Sequence, residues 1–251
     1  MTRTVADVAV MLRVMAEPDS RDPYALAYEP RDYSTVLAGG VAGLRVAYSP
    51  DLGYARVDPD VAALVEKAAR SFEELGAHVE QVDPGFDNPQ GVFRRHWYSG
   101  AAYLLRNLTD QQRAQLDPGL AAVAAEGAAI SLTEYFDAMQ ARAQLISTMR
   151  GFHETYDLLL TPTMPLTAFP LGSDSPIGAN GRAWDDWSPF TFPFNLTGQP
   201  AITAPCGLAG DGLPAGLQIV GRNFDDVGVL RAAAAYAEAH PEHAACPPLA
   251  G

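Results

Sequence analysis

Side chains able to do covalent or acid–base work are few in this sequence and widely scattered. Lys67 is the only lysine among 251 residues, and the other sixteen basic side chains are arginines. A mechanism that needs a lysine base must therefore use Lys67 or take one from elsewhere. Lys67 stands beside Glu66 and Arg70 on the polar side of an apolar-striped segment, where solvent exposure is expected. Ten serines occur; none sits in a Gly-x-Ser-x-Gly elbow and no two are adjacent. His96 and His153 have no serine or cysteine nucleophile motif beside them, so a packing role is expected for both. His240-Pro-Glu-His243-Ala-Ala-Cys246 carries metal-capable groups, but in a proline-rich terminal stretch with no evident scaffold or fourth ligand. A solvated tail, without metal, is the expectation there. Glu73-Glu74, Asp185-Asp186 and Asp225-Asp226 are sequence neighbours that point different ways on a helix, which suits solvated faces and caps better than paired-carboxylate catalysis. Gly210-x-Gly212-x-x-x-Gly216 lies between two strand-like runs rather than before a helix, so it reads as a hairpin connection and not a phosphate loop.

The elements that must position these groups are legible from periodicity. Residues 4–16 read as a helix capped by Thr4, with Val5, Val8, Ala9, Leu12 and Met15 on one stripe. Leu44–Tyr48 is a short apolar strand, and Asp58-Pro59 opens a helix whose Val61, Leu64, Val65, Ala68, Ala69, Phe72 and Leu75 share one face. Gly76 ends that helix, and 77–82 is a second strand. Strand, helix, strand over so short a span predicts a right-handed βαβ crossover with parallel strands. Residues 90–150 read as helical. Asp117-Pro118 opens one helix and the capping box Ser131-Leu-Thr-Glu134 another, with Leu132, Tyr135, Phe136, Met139, Ala143, Ile146 and Met149 as its expected core stripe. Asp157–Thr161 is apolar on both faces and is stopped by Pro162 and Pro165. Ala201–Cys206 and Ala215–Val220 form a hairpin, Asp225 or Asp226 caps a last helix to about Ala239, and 241–251 is expected as a flexible tail.

Composition narrows the function classes. Apolar residues make up 48% and charged residues 19%, a core-forming balance that excludes a disordered chain. No run is apolar and long enough to span a membrane. A net charge of −13 repels phosphate backbones and anionic headgroups, so neither nucleic acid nor a membrane surface is expected as partner. Cys206 and Cys246 form neither a disulfide framework nor a metal knuckle and suit a reducing compartment, and the N-terminus lacks signal-peptide order. Cytoplasm is the expected location. No repeat and no Ser/Gly linker marks a domain boundary, so 1–251 reads as one α/β domain.

Several motifs, in one order along the chain, carry a resemblance. Met1-Thr-Arg-Thr-Val-Ala-Asp7, Arg21-Asp22-Pro23, Gly43–Ala47, Tyr156-Asp-Leu-Leu-Leu-Thr-Pro-Thr163, Phe190-Thr191 with Asn195-Leu-Thr-Gly-Gln-Pro-Ala201, and Gly212–Ile219 are similar to segments of the amidase signature family of serine amide hydrolases. The resemblance implies an α/β/α fold around a mixed β-sheet flanked by helices, with this chain supplying the C-terminal portion. It implies a hydrolase of carbon–nitrogen bonds other than peptide bonds, without cofactor, acting on a small-molecule amide. The family's catalytic set is a serine, a cis-configured serine that relays protons, and a lysine; a glycine- and serine-rich loop carries the nucleophile and supplies backbone N–H groups to the oxyanion. That set precedes the family segment that Met1–Asp7 resembles, so no catalytic residue carries over and the chain is expected to be inactive alone.

Substrate-binding positions do carry over. The resemblance places Thr161, Pro162, Thr163, Phe190, Thr191 and Asn195 near the acyl or leaving group. Met164, Trp184 and Trp187 are neighbours that would shape an apolar or aryl pocket, or else pack their loop onto the body. Strands 157–161 and 201–206 are expected to lack neighbours, an association hazard that points to pairing with the missing N-terminal half or to a homodimer. Two other readings stand beside the hydrolase. One is a non-catalytic binding module derived from an amidase. The other is the amide-transfer subunit of a glutamine-dependent tRNA-charging complex, which shares the signature.

Overall fold

The βαβ unit forms where its periodicity places it. The computed structural model describes residues 1–173, 175–176 and 187–244. Strand β1 (Arg45–Tyr48) runs parallel to β2 (His78–Gln81), and α2 (Pro59–Glu74) connects them. Asp58 caps α2 by accepting from the Asp60 backbone N–H at 2.9 Å, and Pro59 fills the first turn, where no N–H is needed. Gly76, at φ 90°, turns the chain from α2 into β2.

β3 (Leu158–Pro162) lies on the other side of β1, parallel to it, with Val46 opposite Leu158 and Tyr48 opposite Leu160. β5 (Pro214–Gly221) runs antiparallel to β3, and β4 (Ala201–Leu208) pairs antiparallel with β5 as the predicted hairpin. The order is β2-β1-β3-β5-β4, a mixed five-stranded sheet. This corrects one expectation. The 157–161 strand does not lack neighbours, because β5 folds back between it and β4 while β1 takes its other side. The 201–206 strand has β5 on one side. Among the described residues only the outer edges of β2 and β4 have no partner strand.

Alternation along the strands builds two cores. Val46, Leu158, Leu160, Leu217 and Ile219 face α2 and α8 (Asp226–Ala239), where the Phe72 and Tyr236 rings stack at 5.7 Å. Ala47, Leu159 and Val220 face the opposite side with Leu52, Met149 and Phe190. A smaller cluster of Phe93, Leu145, Phe192 and Leu196 joins three helices: α3 (Gln90–Leu105), α6 (Leu132–Thr155) and α7 (Phe192–Thr197). α4 (Asp110–Arg113) is one turn, and α5 (Pro118–Ala129) packs along α3. α1 (Val5–Met15), capped by Thr4, packs against α8 and the Tyr33–Val36 turn; Ala9 is buried and Val5, Val8 and Leu12 half-buried, while Met15 is exposed.

Two further expectations change. The stripe expected on α6 is buried only in part. Met149 is buried and Tyr135 and Ile146 are half-buried, but Leu132, Phe136, Met139 and Ala143 are exposed, while Ala138, Leu145 and His153, outside the stripe, are buried. Apolar residues surround this helix, so periodicity alone does not choose a face. The choice is made at its C-terminal end, where Met149 and Phe152 must meet Tyr156 and the sheet. The second change is at the end of the chain. Pro241–Ala244, expected as the start of a flexible tail, form a 3₁₀ turn against α8, and residues 245–251 lie outside the described ones. No helix among the described residues is long and apolar enough to cross a membrane.

Candidate functional site

β3 ends in Pro162, and the chain then opens a hollow of about 520 Å³ beside the β4–β5 hairpin. Thr163, Met164, Phe169, Trp187, Thr203 and Ala215 are among its lining residues. Thr163 is fixed at both ends: its N–H donates to the Gly216 carbonyl at 2.8 Å, and its hydroxyl to Thr203 Oγ1 at 3.2 Å. Gly216 forms the bare floor, since a Cβ there would lie 2.9 Å from Thr203 Cγ2 and 3.0 Å from Thr163 Oγ1. Phe169 and Trp187 meet edge to face at 5.2 Å across the wall. The Trp187 indole N–H is buried with no acceptor among the described residues. A buried donor without a partner is costly. The lining offers apolar surface and threonine hydroxyls, and no charged side chain among the described residues.

The residues named from sequence fall into three places. Thr163 and Trp187 line the hollow, as does Met164. Thr161, Pro162 and Phe190 are buried behind it: Pro162 pairs with Leu217 in the sheet, and Phe190 sits in the second core. Thr191 caps α7, its N–H and hydroxyl both donating to the Ser188 carbonyl at 3.2 Å. Asn195 is exposed on α7. Trp184 and the Asp185-Asp186 pair lie outside the described residues.

Gln218 is a residue that the motifs contain but do not single out. It is buried on β5, and its Nε2 donates to Thr161 Oγ1 at 3.0 Å and to the Phe190 carbonyl at 2.9 Å. The Thr161 hydroxyl in turn donates to the Pro162 carbonyl at 2.8 Å. One amide thus ties β3, β5 and the Phe190 segment together behind the hollow. The sequence does carry a signal for it: a lone polar residue inside the apolar run Ala215–Val220 must find partners if the strand is buried.

The other reactive groups are engaged elsewhere. Ser49 is fully buried, donating to Asp83 Oδ1 at 2.6 Å and accepting from the Leu52 N–H at 2.9 Å. Ser71 donates to the Ala68 carbonyl at 2.7 Å. Lys67 is exposed on α2 next to the Glu66–Arg70 ion pair. Burial pushes the Cys206 thiol up to about 11, so it stays protonated and is not a ready nucleophile. His96 is half-buried, its ring edge-on to Tyr135 at 5.3 Å.

His153 lines a second hollow of about 420 Å³ with Arg150, Arg222 and Phe224. Its Nδ1 lies 2.9 Å from the Tyr156 carbonyl, a distance that assigns the ring proton to Nδ1 in the neutral form. Burial pulls its pKa below the usual 6.5, outweighing the backbone hydrogen bond that favours the charged form. The unfolded chain therefore takes up this proton first as pH falls. The contribution of neutral His153 is complete above the unfolded value and is lost as pH drops toward the folded one. We expect His153→Gln to flatten the dependence of unfolding free energy on pH between roughly 7 and 5. Urea titrations at stepped pH check this, and an unchanged slope would move the effect to another group.

A mixed sheet with helices on both faces and an apolar hollow at the end of its central strand defines an α/β scaffold of the amidase kind. The family model described as Amidase matches residues 1–230, and the chain belongs to that family. It is 37% identical over 247 residues to an acylamidase of Rhodococcus erythropolis, covering 96% of this chain and 52% of that one. It is 34% identical to one subunit of the glutamyl-tRNA(Gln) amidotransferase of Myxococcus xanthus, covering 96% and 54%. Among solved structures, a bacterial aryl acylamidase of the amidase signature family superposes with a TM-score of 0.85 at 32% identity, covering 99% of this chain and 55% of that chain. The chain thus spans about half the length of the relatives it matches.

Proposed function

We propose that this chain is the pocket-forming part of an amide hydrolase whose nucleophile and base are supplied by polypeptide outside residues 1–251. The observation that carries the reading is the hollow at the end of β3. It is lined by apolar and aromatic side chains, Met164, Phe169 and Trp187, with Thr163 at its edge. Amide hydrolysis by a serine needs a base to take the hydroxyl proton and preorganised donors for the tetrahedral oxyanion; losing one donor alone costs about 10²–10³ in rate. Ser49 and Ser71 are committed to structural hydrogen bonds and Lys67 is exposed to solvent, so this chain would supply shape and positioning, not bond-breaking groups. The apolar lining suits an aryl or alkyl amide. Glutamine, the substrate class of the amidotransferase reading, carries an ammonium and a carboxylate that would find no charged partner among the described residues of this wall.

The test is fluorophosphonate labelling and amide turnover on the chain alone and on the chain joined to the N-terminal half of an acylamidase relative. Labelling and turnover are expected only in the joined protein. Covalent labelling of the chain alone at one of its ten serines, with turnover, would overturn the reading. In the joined protein, Trp187→Ala should lower kcat/KM for aryl amides about tenfold relative to small alkyl amides, with little change in Tm. A large drop in Tm with unchanged preference would instead make Trp187 a packing residue.

A further inference from the structure

We propose that His240, Glu242 and His243 form a binding site for a divalent cation of the Zn²⁺ class, which pins the 241–244 turn to α8. The sequence argues against a metal here because a proline-rich tail offers no scaffold. The structure supplies one. Pro241–Ala244 form a 3₁₀ turn packed against α8 and β4, with the His240 N–H donating to the Tyr236 carbonyl and the His243 N–H to the His240 carbonyl, both at 3.1 Å. The Tyr236 ring, itself stacked on Phe72 in the core, lies 4.6 Å from the His240 ring. The two imidazoles stack nearly parallel, 9° apart at 5.3 Å. A nitrogen of each ring and a carboxylate oxygen of Glu242 all lie within 4.8 Å of one another. His240 Nδ1 is 3.2 Å and His243 Nε2 3.7 Å from Glu242 Oε1. Ligand atoms on a tetrahedral Zn²⁺ are about 3.3 Å apart, so closure needs only small side-chain movement.

Electrostatics favours a cation at this point. His240 Nε2 and His243 Nδ1 are buried and face no partner among the described residues, so the opposite nitrogens are the ones turned toward the carboxylate. With both rings neutral and their protons on the buried nitrogens, two lone pairs and the carboxylate converge on one point; with the proton on Nδ1 instead, His240 donates to Glu242 Oε1 at 3.2 Å, and the cation displaces that proton. If both are protonated, two like charges stack face to face. One divalent cation satisfies both lone pairs and the carboxylate together, and the net charge of −13 concentrates cations at the surface. Two imidazoles and one carboxylate, with water in the fourth place, are a donor set that selects Zn²⁺ over Mg²⁺.

The experiment uses the chain carrying Cys246→Ser, so that this thiol cannot compete. After dialysis against Zn²⁺ and removal of free metal, one equivalent should remain bound, with a Kd in the micromolar range or tighter by competition with a chromophoric chelator, and Mg²⁺ should not displace it. Glu242→Gln should weaken binding at least roughly tenfold, and His240→Ala/His243→Ala should abolish it. His78→Ala, an exposed histidine on β2, should leave it unchanged. Co²⁺ substitution of the unmutated site should give the visible bands of a four-coordinate ion, a readout that does not depend on how the variants fold. Retention of Zn²⁺ by the double variant, less than a fifth of an equivalent bound, or a six-coordinate Co²⁺ spectrum would overturn the proposal.

Discussion

Gly127→Ala should destabilise the chain by about 3 kcal/mol, although the same change in an open helix stabilises by roughly 0.5–1 kcal/mol. Gly127 is buried on α5, where a Cβ would overlap the Tyr98 carbonyl of α3. The obstacle is backbone, which cannot swing aside as a long side chain can. Relief requires the two helices to move apart, and that opens the contacts of the buried Val123 and Ala124 as well. Gly151→Ala on α6 is the control. That glycine is exposed and a Cβ there meets nothing within 4 Å, so only the helix-propensity gain remains. Urea unfolding should show opposite shifts of midpoint for the two variants at similar m-values. Shifts of the same sign would mean that α3 and α5 are not in backbone contact at this point.

Gln218→Leu, which keeps the volume and removes the amide, should cost about 2–3 kcal/mol. The Phe190 carbonyl then loses its donor in a buried setting, while the Thr161 hydroxyl still donates to Pro162. The cost should be coupled to Thr161. In a double-mutant cycle with Thr161→Val, the two losses should fall short of additivity by at least about 0.5 kcal/mol, because both changes break the same hydrogen bond. Strict additivity would show that the bridge carries no energy of its own. In the joined enzyme the Leu variant should also raise KM for aryl amides, since Phe190 and Trp187 lie on one short segment and the amide anchors its inner end.

Legibility divides by range. α2 and the β4–β5 hairpin are readable because each is a local pattern: a seven-residue apolar face opened by Asp58-Pro59, and two apolar runs around a Gly-rich turn. α7 escapes such reading because Phe-Pro-Phe-Asn-Leu-Thr is too short to show a period and contains Pro193; its end is fixed by Gly198 at φ 70°. The adjacency of β1 and β3 joins Val46 to Leu158, and no local signal reports a pairing across such a separation. The buried face of α6 coincides with the expected one only in part, at Met149 and the half-buried Tyr135 and Ile146, because apolar residues lie on more than one face and tertiary contacts choose between them. At the site, residue types near the end of β3 can be named from motifs. The hollow itself cannot, because its walls come from the loop after β3, Trp187 and the β4–β5 hairpin, and only the folded chain brings Thr163, Trp187 and Ala215 together. Gln218 lies inside a motif that the sequence does contain, but its role depends on two acceptors far away in the chain.

The position of β3 bears on how the molecule assembles. Residues 45–81 and 201–239 each close on themselves through near neighbours, whereas β3 must be captured between them. Its registers with β1 and β5 each span many tens of residues, so the entropy of closing both loops must be met before the pairing returns any energy. Loop closure alone therefore predicts that the apolar strand Leu158–Pro162 is seated late. Until it is, its five positions, all buried in the finished sheet, are an apolar stretch open to another chain.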